Sequence, residues 1–135
     1  GSNFVTNKVV KTAVQIKKGL TDKLELGNLD SYRDWGHSKD YVRGMHMILN
    51  NDKADDFIIS TGITYSVRDL CKVVFSKLGM NYEDYVVQNP KYMRPEELKY
   101  LKGDSSKARK ELGWQPEYTF ESMIDEMIDR WMNEI

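Results

Sequence analysis

The chain has 135 residues, room for one domain and too little for two ordinary ones. Hydrophobic residues are 40% and charged residues 30%, the balance of a globular domain, and 20 basic against 21 acidic side chains leave a net charge of -1, which argues against a nucleic-acid or anionic-membrane binder working by charge. No apolar run approaches the ~18 residues of a membrane span; the single cysteine excludes an internal disulfide and, with two histidines, is a poor stock of soft metal ligands, so a reducing cytoplasm is the expected setting.

Gly1-Ser2 reads as a cleavage scar from an expression tag, which leaves 3–135 as the domain. Val5, Val9, Ala13, Ile16 and Leu20 recur at helical spacing and predict a helix with one buried face, closed near Gly19. Leu24-Glu25-Leu26 predicts a short strand. Ser38 is the expected cap of a second helix, with Tyr41, Met45, Ile48 and Leu49 on its buried side. Phe57-Ile58-Ile59-Ser60 is a β-branched run between Asp55-Asp56 and Thr61-Gly62 and predicts a strand. Ser66-Val67-Arg68-Asp69 has the form of a capping box. It opens a helix carrying Val67, Leu70, Cys71, Val74 and Leu78 and ending at Gly79. Cys71 falls inside that stripe and reads as packing rather than as a nucleophile. Tyr85-Val86-Val87 predicts a third strand. Asp104 can cap a helix that stops at Gly113, and Thr119 a last helix with Phe120, Ile124, Met127 and Trp131 on its face. The result is an α/β chain, mostly helical, whose few short strands cannot form a doubly wound sheet on their own.

No complete catalytic constellation is present. The closest glycine pairs, Gly19 with Gly27 and Gly36 with Gly44, do not form a phosphate-cradling loop. There is no Gly-x-Ser-x-Gly elbow. No tyrosine has a lysine four positions on, the spacing at which a lysine could activate a tyrosine for proton transfer.

Three loop clusters put charge where a core cannot use it. Asn28 to His37 holds Arg33 beside Trp35 and Gly36, and the planar guanidinium fork suits a phosphate. The plain structural alternative pairs Arg33 with Asp30 or Asp34 and buries Trp35. Tyr92-Met93-Arg94-Pro95-Glu96-Glu97 places a second arginine before a proline, with carboxylates that can accept from sugar hydroxyls; its alternative is a solvated turn. Thr6-Asn7-Lys8 starts the first helix, and its alternative is an ordinary helix N-terminus. His37 alone reads as a loop or capping histidine.

Taken in order, Phe4 to Lys8, Leu26 to Asp30 and Arg33 to Val42 resemble the GDP-mannose 4,6-dehydratase family, a branch of the extended short-chain dehydrogenase/reductases. The likeness continues through Thr61-Gly62, Ser66-Val67-Arg68, Tyr92-Met93-Arg94-Pro95 with Glu97, and Gly103-Asp104 to Leu112-Gly113-Trp114. The resemblance implies the small C-terminal, nucleotide-sugar-binding lobe of such an enzyme. The NADP-binding Rossmann lobe with its Tyr-Lys pair would lie outside this chain, and the catalytic residues with it. It implies GDP-mannose as substrate, GDP-4-dehydro-6-deoxymannose (a precursor of fucose and rhamnose) as product, and a cytoplasmic, homo-oligomeric parent. This fragment alone is then expected to be inactive. Carried onto matching positions, Thr6 and Lys8 would lie beside the nucleotide sugar and Gly27 would leave room for the nucleotide. Arg33 and Arg94 would clamp the diphosphate, and Glu97 would accept from a sugar hydroxyl. Asn7 departs from the pattern, since the family commonly carries Arg there. The alternatives are another nucleotide-sugar dehydratase, epimerase or reductase, or a non-catalytic nucleotide-sugar-binding or interaction domain.

Overall fold

A computed structural model describes residues 3–52, 55–93 and 104–135. Five helices dominate it: α1 (Asn3–Lys17), α2 (Ser38–Leu49), α3 (Val67–Lys77), α4 (Ser106–Leu112) and α5 (Phe120–Glu134). Four short strands join them: β1 (Leu24–Leu26), β2 (Tyr32–Arg33), β3 (Tyr65–Ser66) and β4 (Val86–Gln88). The expected architecture is the observed one, mostly helical with little sheet. No helix among the described residues is long and apolar enough to cross a membrane.

The core forms where three amphipathic helices meet. α1 lies against α3 and α5. Its Val9, Val10, Ala13, Val14 and Ile16 are buried with Leu70, Val74 and Phe75 of α3 and Met123, Ile124 and Ile128 of α5. Leu20 stays out, 64% exposed, because α1 has already stopped. Gly19 takes φ +76, and the Leu20 and Gly19 N–H groups return to the Gln15 and Ile16 carbonyls, a Schellman closure.

Local caps set two of the helix starts. The Ser66 hydroxyl accepts from Asp69 N–H at 3.0 Å and the Asp69 carboxylate accepts from Ser66 N–H at 3.1 Å. Thr119 and Ser122 form the same reciprocal pair at the start of α5. Asp104 accepts from Ser106 N–H ahead of α4, which Gly113 ends in the left-handed region at φ +70. The cap of α2 is His37, not Ser38: its Nδ1 accepts from Lys39 N–H at 3.0 Å.

The strands pair across long sequence distances. β1 and β4 are parallel, with Leu24 opposite Val86 and Leu26 opposite Gln88. β2 and β3 are antiparallel, with Tyr32 opposite Ser66 and Arg33 opposite Tyr65. The run Phe57–Ser60 does not form the expected strand, and no strand lies beside it among the described residues.

α2 also departs from expectation. Its buried residues are Asp40 and Gly44. Met45 is 60% and Leu49 79% exposed, with Val42 exposed on the same stripe. The inward face is fixed by Trp114, whose Nε1 donates to the Asp40 carbonyl at 2.9 Å and sits 3.0 Å from where a Gly44 Cβ would lie.

Candidate functional site

The first site element is the outer end of α1. Thr6 is fully buried. Lys8, two residues on, is half-buried and holds its Nζ 4.6 Å from the centre of the Tyr92 ring. Lys91 approaches the same ring at 5.1 Å. Gly27 closes β1 under this group. A Cβ there would come within 2.4 Å of the Tyr92 carbonyl oxygen, so only glycine lets the Tyr92–Met93 backbone cross so closely. Asn89 N–H donates to the Leu26 carbonyl at 2.8 Å and carries the β1–β4 ladder toward that crossing. Lys8, Gly27 and Tyr92 therefore meet at one place. Arg94 and Glu97 lie outside the described residues.

Arg33 stands on the β2–β3 pair, half-buried, its Nη1 donating to the Tyr32 carbonyl at 2.8 Å. The two carboxylates that the plain structural reading paired with it, Asp30 and Asp34, bond to other groups. Asp30 accepts from Arg68 Nε at 3.1 Å and Nη2 at 3.4 Å, and this pairing, reinforced by Tyr82, raises the Arg68 pKa further above its ordinary value. Asp34 accepts from Thr61 N–H at 3.1 Å, from the Thr61 hydroxyl at 2.6 Å and from Gly62 N–H at 2.9 Å. Trp35 is buried, as that same reading expected, and stacks on Phe120 with ring centres 6.1 Å apart. Burial, then the nearby Asp34 charge, pushes the Tyr41 phenol above its usual range.

Beside this loop is an open pocket of about 140 Å³ lined by Asn7, Gly36, His37, Glu126 and Arg130 among others. The buried Asn7 Oδ1 has no partner there. His37 is a capping residue in this structure. With Nδ1 accepting from Lys39, its other nitrogen carries the hydrogen and donates to Glu126 at 3.0 Å, while the ring stacks on Tyr118 with centres 3.8 Å apart. Among the described residues no group of three His, Cys, Asp or Glu side chains is placed to hold a metal ion. Nor do they form a dinucleotide cradle: Gly27, Gly36 and Gly44 are each covered by Tyr92, Tyr41 or Ile59 and Trp114. The sequence pattern assigns no role to Tyr92, the first residue of the 92–97 cluster, or to Lys91 just before it. Only the Gly27 crossing reveals their place.

The sequence model of the GDP-mannose 4,6 dehydratase family matches residues 1–127. The chain belongs to the GDP-mannose 4,6-dehydratase family. GDP-mannose 4,6 dehydratase 2 of Arabidopsis thaliana is 43% identical over 129 residues, covering 96% of this chain and 35% of its own length. The Vibrio cholerae GDP-mannose 4,6-dehydratase is 39% identical over 155 residues, covering 95% of this chain and 42% of its own. The chain thus spans well under half the length of these curated relatives. Among solved structures, RMD from Pseudomonas aeruginosa, complexed with NADPH, superposes with a TM-score of 0.88 at 20% identity, over 100% of this chain and 44% of that one. A UDP-glucose 4-epimerase from Bifidobacterium longum gives 0.74 at 22% identity, over 93% of this chain and 39% of that one. The chain therefore shares its fold with the matching parts of these structures.

Proposed function

We propose that the chain is the substrate-binding lobe of a cytoplasmic GDP-mannose 4,6-dehydratase. The observation that carries this reading is the family match across residues 1–127, with relatives of that name near 40% identity. The parent lyase would oxidise C4 of the mannose, eliminate water across C5 and C6, and return the hydride to C6, giving GDP-4-dehydro-6-deoxymannose. NADP, held by the lobe outside this chain, would take up and return that hydride. This lobe would contribute binding and orientation. Lys8 and Gly27 would border the nucleotide-sugar side, and Thr6, fully buried here, would have to be uncovered to join them. Arg33 with Arg94 would grip the diphosphate and Glu97 a sugar hydroxyl. The place of Lys8 beside Tyr92 and the commitment of Asp30 and Asp34 to other partners fit that assignment, whereas the space over Gly27 is taken by the Tyr92–Met93 backbone rather than left open.

The rest of the parent has a surface to sit on. Val42, Met45 and Leu49 form an exposed apolar stripe on α2, with exposed Ile58 and Ile63 further along the chain. The occupant we assign is the N-terminal lobe, because the relatives carry more than half their length beyond the matched part.

GDP titrated against the chain should bind weakly, with Kd in the mM range, about −4 kcal/mol, since the cleft would be half walled. It should shift the amide resonances of Lys8, Gly27 and Arg33. UDP binding equally well at the same residues would favour a sibling acting on another nucleotide sugar, a reading the shared fold with the UDP-glucose 4-epimerase keeps in view. No shift at any of them would overturn the site. Incubation with GDP-mannose and NADP should yield no 4-keto product.

A further inference from the structure

We infer that Asp34 is the positioning residue for Arg33: by gripping the turn at Thr61–Gly62 it fixes the strand on which Arg33 is presented to an anionic ligand. This rests on the reading of Arg33 as a diphosphate contact.

The geometry is a closed circuit. Asp34 spends both oxygens on one turn: Oδ1 on the Thr61 N–H and hydroxyl, Oδ2 on the Gly62 N–H. Gly62 stands at φ +81, a conformation few other residues tolerate, which lets both N–H groups of the turn reach the Asp34 carboxylate. The Thr61 hydroxyl, while donating to Asp34, accepts from Ile63 N–H at 3.1 Å and tightens it further. Arg109 of α4 holds the other side, its Nη2 donating to the Thr61 carbonyl at 2.9 Å. The turn leads directly into β3, and Tyr65 of β3 is the register partner of Arg33 itself. Asp34 is the next residue after Arg33, so the circuit runs from Arg33 through Asp34, the turn and β3 back to Arg33.

The neighbouring contacts remove the remaining freedom. Trp35 is buried against Phe120, and Phe120 stacks on Tyr65 with ring centres 3.8 Å apart. Gly36 leaves space for the Tyr41 hydroxyl, and a Cβ there would also press on Thr61. β2 and β3 are two residues each, too short to hold a register by their own ladder. Beyond Ser66 the pair is held by the Val67 N–H on the Ser31 carbonyl at 3.0 Å and the Arg68 N–H on the Leu29 carbonyl at 2.8 Å; the Asp34 grip holds the opposite end, the one that carries Arg33.

Asparagine at position 34 has nearly the same shape but cannot accept at both ends. One of its ends would face Thr61 or Gly62 N–H with an NH₂ group, so Asp34→Asn breaks the grip while removing no bulk. The test reads ³¹P line broadening of GDP by the 135-residue chain, a signal that follows the diphosphate even in weak binding. Arg33→Ala and Asp34→Asn are each expected to weaken GDP binding by about tenfold to a hundredfold, the effect of a lost hydrogen bond to a charged group. The double variant is expected to bind no worse than Arg33→Ala, because Asp34 acts through Arg33. Thr61→Val removes one of the three donors and should give an intermediate loss, which keeps the test available if Asp34→Asn does not fold. Unchanged broadening with both Asp34→Asn and Thr61→Val would overturn the inference, as would an undiminished further loss from Asp34→Asn in the Arg33→Ala background. If Arg33→Ala broadens the GDP signal as the parent chain does, or the parent chain does not broaden it at all, the diphosphate reading itself fails, and the inference with it.

Discussion

Cys71 shows how burial alone decides a residue's chemistry. Its thiol is pushed up to about 12 by desolvation, against a small opposing pull from Arg68. At pH 8 the thiolate fraction is then on the order of one in ten thousand, and the group is inert packing. Because the folded value lies above the unfolded one, the resulting stability is complete below about pH 9 and drains away as pH rises toward 12, by up to about 1.4 kcal/mol per pH unit. The difference in unfolding free energy between the parent chain and Cys71→Ala should therefore narrow steadily above pH 9; a constant difference would contradict the account. Asp40 carries its weight differently. Nearly fully buried, it accepts from Glu117 N–H at 2.9 Å and Tyr118 N–H at 3.2 Å, and it faces Arg43 at 3.5 Å. Asp40→Ala leaves two backbone donors and a partly buried guanidinium without their acceptor. It should cost about 3 kcal/mol, read as a lowered urea midpoint with unchanged m-value.

Among elements, the β1–β4 pair matters because it brings the 89–93 segment across Gly27. Gly27→Ala would drive a methyl group against the Tyr92 carbonyl, a backbone atom that cannot rotate away. The strain should cost about 1–3 kcal/mol, and the Tyr92 ring resonances should move as the ring separates from Lys8; an unmoved ring would show that the crossing does not depend on the missing side chain. The sequence reveals some elements better than others for physical reasons. The caps at Ser66 and Thr119 are legible because both partners lie within three residues. The cap by His37 is less so, since a ring nitrogen rarely serves. β2 and β3 are invisible in sequence because two residues cannot display a period of two. The Phe57–Ser60 run displays that strand character fully, but a strand also needs a neighbour. At the candidate site, residue type and setting single out Arg33 and Lys8 as candidates. The Asp34 grip is not, because its partners lie 27 and 28 positions away.

At the scale of the whole molecule, α2 is the exception that organises the rest. α1, α3 and α5 turn their apolar stripes into one core, as amphipathic helices do. α2 has such a stripe too, yet it packs through Asp40 and Gly44 and turns Val42, Met45 and Leu49 outward. A helix held by a buried carboxylate and a glycine, with its apolar stripe exposed, is packed on one side and open on the other. If the N-terminal lobe covers this face, stability and assembly should separate. Met45→Lys with Leu49→Lys alters side chains that are 60% and 79% exposed, so the urea midpoint of the chain should stay within about 0.5 kcal/mol of the parent. The same double variant should abolish dehydratase activity recovered by mixing the chain with the N-terminal part of the Arabidopsis thaliana relative. Two ammonium groups would be pressed into an apolar contact without partners, at several kcal/mol each. Recovery equal to that of the parent chain would place the lobe elsewhere. A large loss of stability in the isolated variant would mean instead that the stripe already packs within this domain.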